Sequence, residues 1–465
     1  MSSPVHVSGT LASQDARTRF LDRTYRKMVL RILPFIMALW ILAWMDRSNI
    51  GFAKLEMQAD LGFSAAVYGL GAGIFYVGYL VFEVPSNLYM QKIGARMTIA
   101  RIVIGWGAIC ALTAFVTAPW QFYLARFFLG AFEAGFYPGI IIYLTLWFPA
   151  KRRAKIFGIF MAASALAGVV GGPLAAFLMT HLEGALGLAG WQWIFLGEGI
   201  PTVLAGLLVF VVLVDRPGQA RWLSAEQKEA VAADMAAEAA LHGGRQHALR
   251  DALRDPRLWI FTGIYFLTIL GNASVAFWGP AIVQALTGFE ITAIGWVISA
   301  VSLCGAAGMV VSGFWSDRNR NPRRVVVTML LFGAAGYLAL AFVWTSVPVI
   351  GVIAFGCALV GAYSVLPSFW QMPNLVYTGT AAAGSIAIIN SFGNLGGFIA
   401  PYALGLVEER TGSVFGGLVG VGIALIVAAI LVVWKLPRMS TDEAVDSVSS
   451  AAGAPTSSAV ETRAS

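Results

Sequence analysis

Twelve uninterrupted apolar runs, each about as long as a bilayer-spanning helix, recur along the chain, near residues 32–52, 66–90, 97–117, 121–148, 155–181, 192–214, 258–286, 291–315, 325–345, 347–371, 380–407 and 414–436. A helix rises about 1.5 Å per residue, so roughly 20 apolar residues are needed to cross the hydrocarbon layer. A soluble domain of this length needs more charge to cover its surface than the 12% present, and 58% of the residues are apolar. The expected fold is an all-α membrane protein of twelve transmembrane helices. An even number of crossings puts both termini on one side.

Lysine and arginine collect on one side of that count: in the N-terminal stretch (Arg17, Arg19, Arg23, Arg26, Lys27), the 91–101 turn, Lys151 to Lys155, the 215–257 loop, and Arg318 to Arg324. The opposite loops carry Lys54 and Arg410. Basic loops stay cytoplasmic, so both termini are expected there, in the cell (inner) membrane. The net charge of +7 is dispersed between apolar runs and forms no stripe, which argues against a nucleic-acid partner. Cys110, Cys304 and Cys357 lie far apart within apolar runs, as packing residues without metal spacing. No metal or cofactor is expected.

The divisions that follow are a cytoplasmic segment 1–30, a first bundle 31–214, a cytoplasmic linker 215–257, a second bundle 258–437 and a disordered tail 438–465. Within the linker, Ser224 and Gln227 have capping-box spacing ahead of an alanine-rich stretch that ends at Gly243-Gly244, which predicts a short helix.

Two features recur at a nearly constant offset. A polar turn begins at Asn87 (NLYMQKIGAR) and again at Gly313 (GFWSDRNRNPRR), and a glycine-rich span carries GGP at Gly171 and GGFIAP at Gly396. Two related six-helix halves result. The turns resemble those of the major facilitator superfamily. The second copy keeps Gly313, Asp317 and Arg318; the first keeps Lys92, Gly94 and Arg96 but has Asn87 for the glycine and Gln91 for the acid. The resemblance implies two pseudo-symmetric bundles and a cytoplasmic gate at Lys92, Arg96, Asp317 and Arg318.

A narrower resemblance runs from about residue 25 to 437. WMDRSNIGFAKLEM (44–57), FEVPSNL (82–88), RFFLGAFEAGFYPGIIIYLTLWFP (126–149), GWQWIFLGEGIP (190–201), DRPGQARWLSAEQK (215–228) and INSFGNLGGFIAPYALG (389–405) are similar, in order and spacing, to the anion:cation symporter family. That family includes permeases for tartrate, phthalate, hydroxyphenylacetate and galactonate.

Ionisable groups inside a span cost several kcal/mol unless paired or facing water. Here they are Asp46, Arg47, Glu83, Arg126, Glu133 and, at the margin, Glu198. Counted from Ile32, Arg47 lies about 22 Å along its helix, level with Arg126 near the outer end of span four. Glu133 is two turns beyond Arg126, roughly 10 Å deeper. Two guanidiniums at one level suit a carboxylate, whose oxygens match their paired donors. The residues alone leave alternatives: Arg47 snorkelling to the outer interface, and Arg126 with Glu133 as a structural ion pair between spans four and one. A substrate that captured Arg126 would remove the charge stabilising Glu133 and favour proton uptake. The resemblance implies Asp46 and Glu133 as proton-coupling acids, Arg47 and Arg126 as anion ligands, and Tyr79 as a substrate-facing tyrosine, although spacing alone fits an interface or packing tyrosine equally well.

The second half lacks buried basic residues, so its expected share of the site is neutral: Asn272, Trp370, Gln371, Asn390 and Asn394, each of which could equally be helix-packing glue. Gly168, Gly171 and Gly172 before Pro173, and Gly393, Gly396 and Gly397 before Pro401, are expected where the halves rock, and static helix packing explains them equally well. The chain has no GxxxxGK[ST] loop and no clustered nucleophile or metal site, so neither a pump nor an enzyme is expected. The expectation is a monomeric secondary transporter moving a small organic carboxylate with protons; an anion exchanger and a non-transporting anion sensor are the alternatives.

Overall fold

The computed structural model describes residues 6–241, 253–343, 347–377 and 379–436. Gly243-Gly244 and the tail 438–465 lie outside the described residues. The described residues are helical nearly throughout: α1 (His6–Leu61), α2 (Ala65–Ile93), α3 (Ala95–Thr113), α4 (Pro119–Glu133), α5 (Phe136–Trp147), α6 (Ala150–His181), α7 (Gly190–Val212), α8 (Ala225–Leu241), α9 (Pro256–Thr287), α10 (Ile291–Asn319), α11 (Pro322–Val343), α12 (Pro348–Val376), α13 (Gly379–Gly393), α14 (Leu395–Thr411) and α15 (Phe415–Lys435).

Eleven spans among the described residues are individually long and apolar enough to cross a membrane. The twelfth crossing is α13 with α14, which are 15 and 17 residues long and therefore each too short alone. The expected first span continues α1 out of the polar N-terminal stretch without a break, with Tyr25, Met28 and Ile32 buried.

Two expected continuous spans are interrupted. Span four divides into α4 and α5 at Ala134 and Gly135, where Gly135 takes φ 84°, a left-handed conformation that glycine adopts without a Cβ clash. Pro138 has no N–H to donate to Ala134, so the sequence itself removes a bond that would carry the helix through. Span eleven divides at Asn394.

Helices α1 to α7 pack among themselves, as do α9 to α15, and the two bundles meet along α2 with α14, α6 with α10, and α1 with α9. The meetings are backbone-close. A Cβ on Gly172 would lie 2.5 Å from the Gly295 carbonyl oxygen, and one on Gly69 would lie 2.4 Å from that of Pro401. Only glycine permits such approach. The linker helix α8 has the expected capping box: Ser224 N–H donates to Gln227 Oε1 and Gln227 N–H to Ser224 Oγ, both at 3.2 Å. It docks on the first bundle, where Tyr25 donates to Asp234 at 2.9 Å and Lys27 to the Trp222 carbonyl.

Candidate functional site

The α1 register sorts its polar residues onto different faces. Trp44, Arg47 and Ser48, spaced i, i+3 and i+4, line a cavity between the bundles with about 130 Å³ of open space. Tyr76, Ser164, Asn272, Ser302 and Tyr363 line it from other helices. Asp46, one residue before Arg47, turns away from it towards α3, where Cys110 Sγ lies 2.8 Å from its Oδ1.

Arg47 is ion-paired. Its Nε donates to Glu133 Oε1 at 2.5 Å, with the Glu133 side chain 1% exposed and that of Arg47 17%. The guanidinium lies 5.3 to 5.5 Å from the ring centres of Trp44, Phe75 and Tyr79, an aromatic cage that favours a cation. Tyr79 thus belongs to the site through Arg47. Glu133 closes α4, at the negative end of that helix's dipole, which favours the guanidinium beside it and disfavours a second negative charge. Its Oε2 has no partner.

Arg126 is 1% exposed, and none of its three guanidinium nitrogens has a hydrogen-bond partner. It lies 5.3 Å from the Phe75 ring centre, on the ring that Arg47 also approaches. The ion pair that sequence reasoning considered for Arg126 is made by Arg47 instead. The reason is the end of α4 at Glu133, which brings that carboxylate to α1; Arg47 therefore reaches the level of Glu133, not one two turns shallower.

In the second bundle, Asn272 lines the cavity and donates from Nδ2 to the carbonyls of Thr268 and Ala362, both at 3.1 Å. Trp370 packs on Tyr265 at 4.9 Å, and Asn390 donates to Glu83 Oε1 at 3.0 Å across the bundles. Ser391 adds a 2.6 Å bond to Glu83 Oε2. Gln371 instead joins the second polar turn: its Nε2 donates to Asp317 at 3.2 Å and its Oε1 accepts from Ser316 at 2.8 Å. Asn394 stands at the break between α13 and α14.

The turn residues make their described contacts within their own half of the chain, Arg96 with the start of the linker. Arg96 binds Asp215 through its backbone N–H and the Phe210 carbonyl through its guanidinium; Lys92 and Arg318 are exposed. Cross-bundle polar contacts lie elsewhere. Besides Glu83, Lys54 pairs with Glu408 at 2.9 Å while its ammonium sits 3.4 Å from the Trp278 ring centre, and Ser64 donates to Glu409 at 2.9 Å. Neither Lys54 nor Glu408 stands among the candidate site residues legible in the sequence. The available signal was a lysine on the side of the membrane that is otherwise nearly free of basic residues.

The profile of the Major Facilitator Superfamily matches residues 36–401, and again 264–463. A putative tartrate transporter of Agrobacterium vitis is 45% identical over 419 residues, covering 90% of this chain and 95% of its own. The putative metabolite transport protein NicT of Pseudomonas putida is 40% identical, covering 88% and 93%. Among solved structures, the inward-open xylose transporter XylE from E. coli superposes with a TM-score of 0.73 at 14% identity, covering 90% of this chain and 99% of that one. The fold, the profile and these relatives agree: the chain is a multi-pass membrane transporter that belongs to the Major Facilitator Superfamily.

Proposed function

We propose that the protein imports a small organic anion together with protons by alternating access. The anion is a carboxylate: a hydroxy or sugar acid, a dicarboxylate or an aromatic acid. The observation that carries this reading is Arg47 on the cavity wall, ion-paired behind that wall to the buried Glu133, with the buried Arg126 guanidinium nearby and free of hydrogen-bond partners. A buried guanidinium without partners has donors to offer a carboxylate. An incoming carboxylate that drew on Arg47 would compete with Glu133, withdraw the charge that stabilises that acid, and favour its protonation. Asp46 serves as the second coupling acid. The name of the Agrobacterium relative, a tartrate transporter, supports the carboxylate class.

Asn272 on the cavity wall is the best-placed neutral contact for a substrate hydroxyl, with Tyr76 and Tyr363 beside it. Trp370, Gln371, Asn390 and Asn394 lie outside the cavity lining and would act through its inner end, closing below the substrate with Glu83. Lys92, Arg96, Asp317 and Arg318 would stiffen the cytoplasmic turns during closure. The protein is read as a monomer in the inner membrane with both termini cytoplasmic.

Purified protein in proteoliposomes tests the reading. Uptake of a bound carboxylate, found first by thermal-shift screening, should rise with an inward proton gradient. Accumulation that ignores the gradient, with counterflow intact, would make the protein an exchanger, and absence of counterflow would make it a sensor.

A further inference from the structure

Behind α1, on the side away from the cavity, a second polar cluster joins three helices. Asp46 and Asn49 share one face of α1 at i and i+3 spacing, Cys110 comes from α3 and Glu198 from α7. Close helix packing makes it compact: a Cβ on Gly199, next to Glu198, would lie 2.5 Å from the Ala111 backbone nitrogen. Cys110 Sγ donates to Asp46 Oδ1 at 2.8 Å, and Asn49 Nδ2 donates to Glu198 Oε2 at 3.1 Å while lying 3.7 Å from Cys110 Sγ. The chain of contacts from one carboxyl to the other is therefore continuous.

Both carboxyls are fully enclosed, Asp46 1% and Glu198 2% exposed, and no ion pair among the described residues includes either. Asp46 Oδ2 and Asn49 Oδ1, buried in this cluster, make no hydrogen bond of normal geometry, and the Trp106 indole is the neighbouring donor to Asp46. The charged and titratable groups that face the cluster are few. Arg126 and Glu133 act on Asp46; Asp46, Glu198 and Arg126 act on Cys110; and Asp46 acts on Glu198. Two ionised carboxylates here would face a single guanidinium, leaving net negative charge in a medium that solvates it poorly. One proton brings the carboxyl pair to a charge of −1, which Arg126 balances; a second makes the pair neutral. An amide nitrogen and oxygen exchange places by a half-turn. Asn49 can thus donate to an ionised Glu198 or accept from a protonated one.

We propose that Asp46 and Glu198 form one proton-holding pair, bridged by Asn49 and Cys110, in which Glu198 is a second carboxyl that shares the proton taken up at Asp46. The proton passes from one carboxyl oxygen to the other, so one O–H bond breaks as another forms. The pair's place in transport rests on the reading of Asp46 as a coupling acid. The sharing itself does not.

Infrared difference spectroscopy of the lipid-reconstituted protein across a pH titration tests it. The protonated-carboxyl band lost in Glu198→Gln identifies Glu198, and the band lost in Asp46→Asn identifies Asp46. Removing either charge relieves the other acid of repulsion, so the surviving band should titrate at lower pH in each variant, by equal amounts of about one pH unit or more. Midpoints that stay in place, or a Glu198 band that never titrates, would overturn the proposal. Should Glu198→Gln fail to fold, the band displaced in Glu198→Asp assigns Glu198 instead, and its midpoint in Asp46→Asn against wild type then decides. Proton-gradient uptake by Asp46→Asn is a separate arm: undiminished accumulation would remove Asp46 from coupling, while the infrared midpoints would still decide whether the pair exists.

Discussion

Arg47 Nε and Glu133 Oε1, 86 positions apart in sequence, meet at 2.5 Å beside the cavity, whereas the guanidinium of Arg126, seven positions before Glu133 on its own helix, makes no hydrogen bond. The pair separates structural from functional consequences. Glu133→Gln leaves an oxygen for Arg47 to bind and should fold. Proton-driven accumulation in proteoliposomes should fall at least about tenfold, with exchange of bound substrate within about twofold of wild type. Glu133→Ala leaves the guanidinium uncompensated and should cost about 3 kcal/mol of stability, read as a lowered unfolding temperature.

Arg126 is tested through its free donors. Arg126→Met removes them and should abolish the ligand-induced rise in unfolding temperature. Arg126→Lys should weaken carboxylate binding about tenfold or more, because an ammonium lacks the paired fork. Unchanged affinity in Arg126→Lys and in Arg47→Lys together would remove carboxylate recognition from these residues.

The Lys54–Glu408 pair spans the bundles with the Trp278 ring against the ammonium. Lys54→Met removes the charge and keeps the stem, so the two ends should separate more often. Spin labels on exposed positions at the ends of α1 and α14 should report a longer mean distance. An unaltered distance distribution would mean that the pair does not hold that side shut.

Gly295→Ala places a methyl 2.7 Å from the Gly172 carbonyl oxygen, a backbone atom that cannot swing aside. Sliding of α6 on α10 should stiffen or shift. We expect transport to fall about tenfold with equilibrium ligand affinity nearly unchanged, since Gly295 lies outside the cavity lining. Loss of affinity in parallel with rate would assign the seam a static packing role.

The number of crossings was legible because apolar runs of span length are a strong, local signal, and the α8 cap because Ser224 and Gln227 carry a short-range motif. The interruption of span four was written in Gly135 and Pro138 yet is masked by hydropathy, which treats both as neutral fillers. Partner choice was less legible. Helical spacing places Arg126 and Glu133 on one face of α4, but it does not tell which guanidinium on which neighbouring helix will meet the carboxylate at that helix's end. The cross-bundle contacts of Glu83 with Asn390 and of Lys54 with Glu408 join residues more than 300 positions apart, beyond the reach of any local pattern.

The face assignments along α1 also set which kinds of change the helix tolerates. Positions 44, 47 and 48 look into the cavity, 46 and 49 into the space between α3 and α7, and 54 across to the other bundle. One inserted residue between 49 and 54 would turn Lys54 by about 100° relative to the rest. The helix is thus indexed like a camshaft: single side chains can be exchanged one at a time, whereas a change of length by one residue would mistime every later position at once.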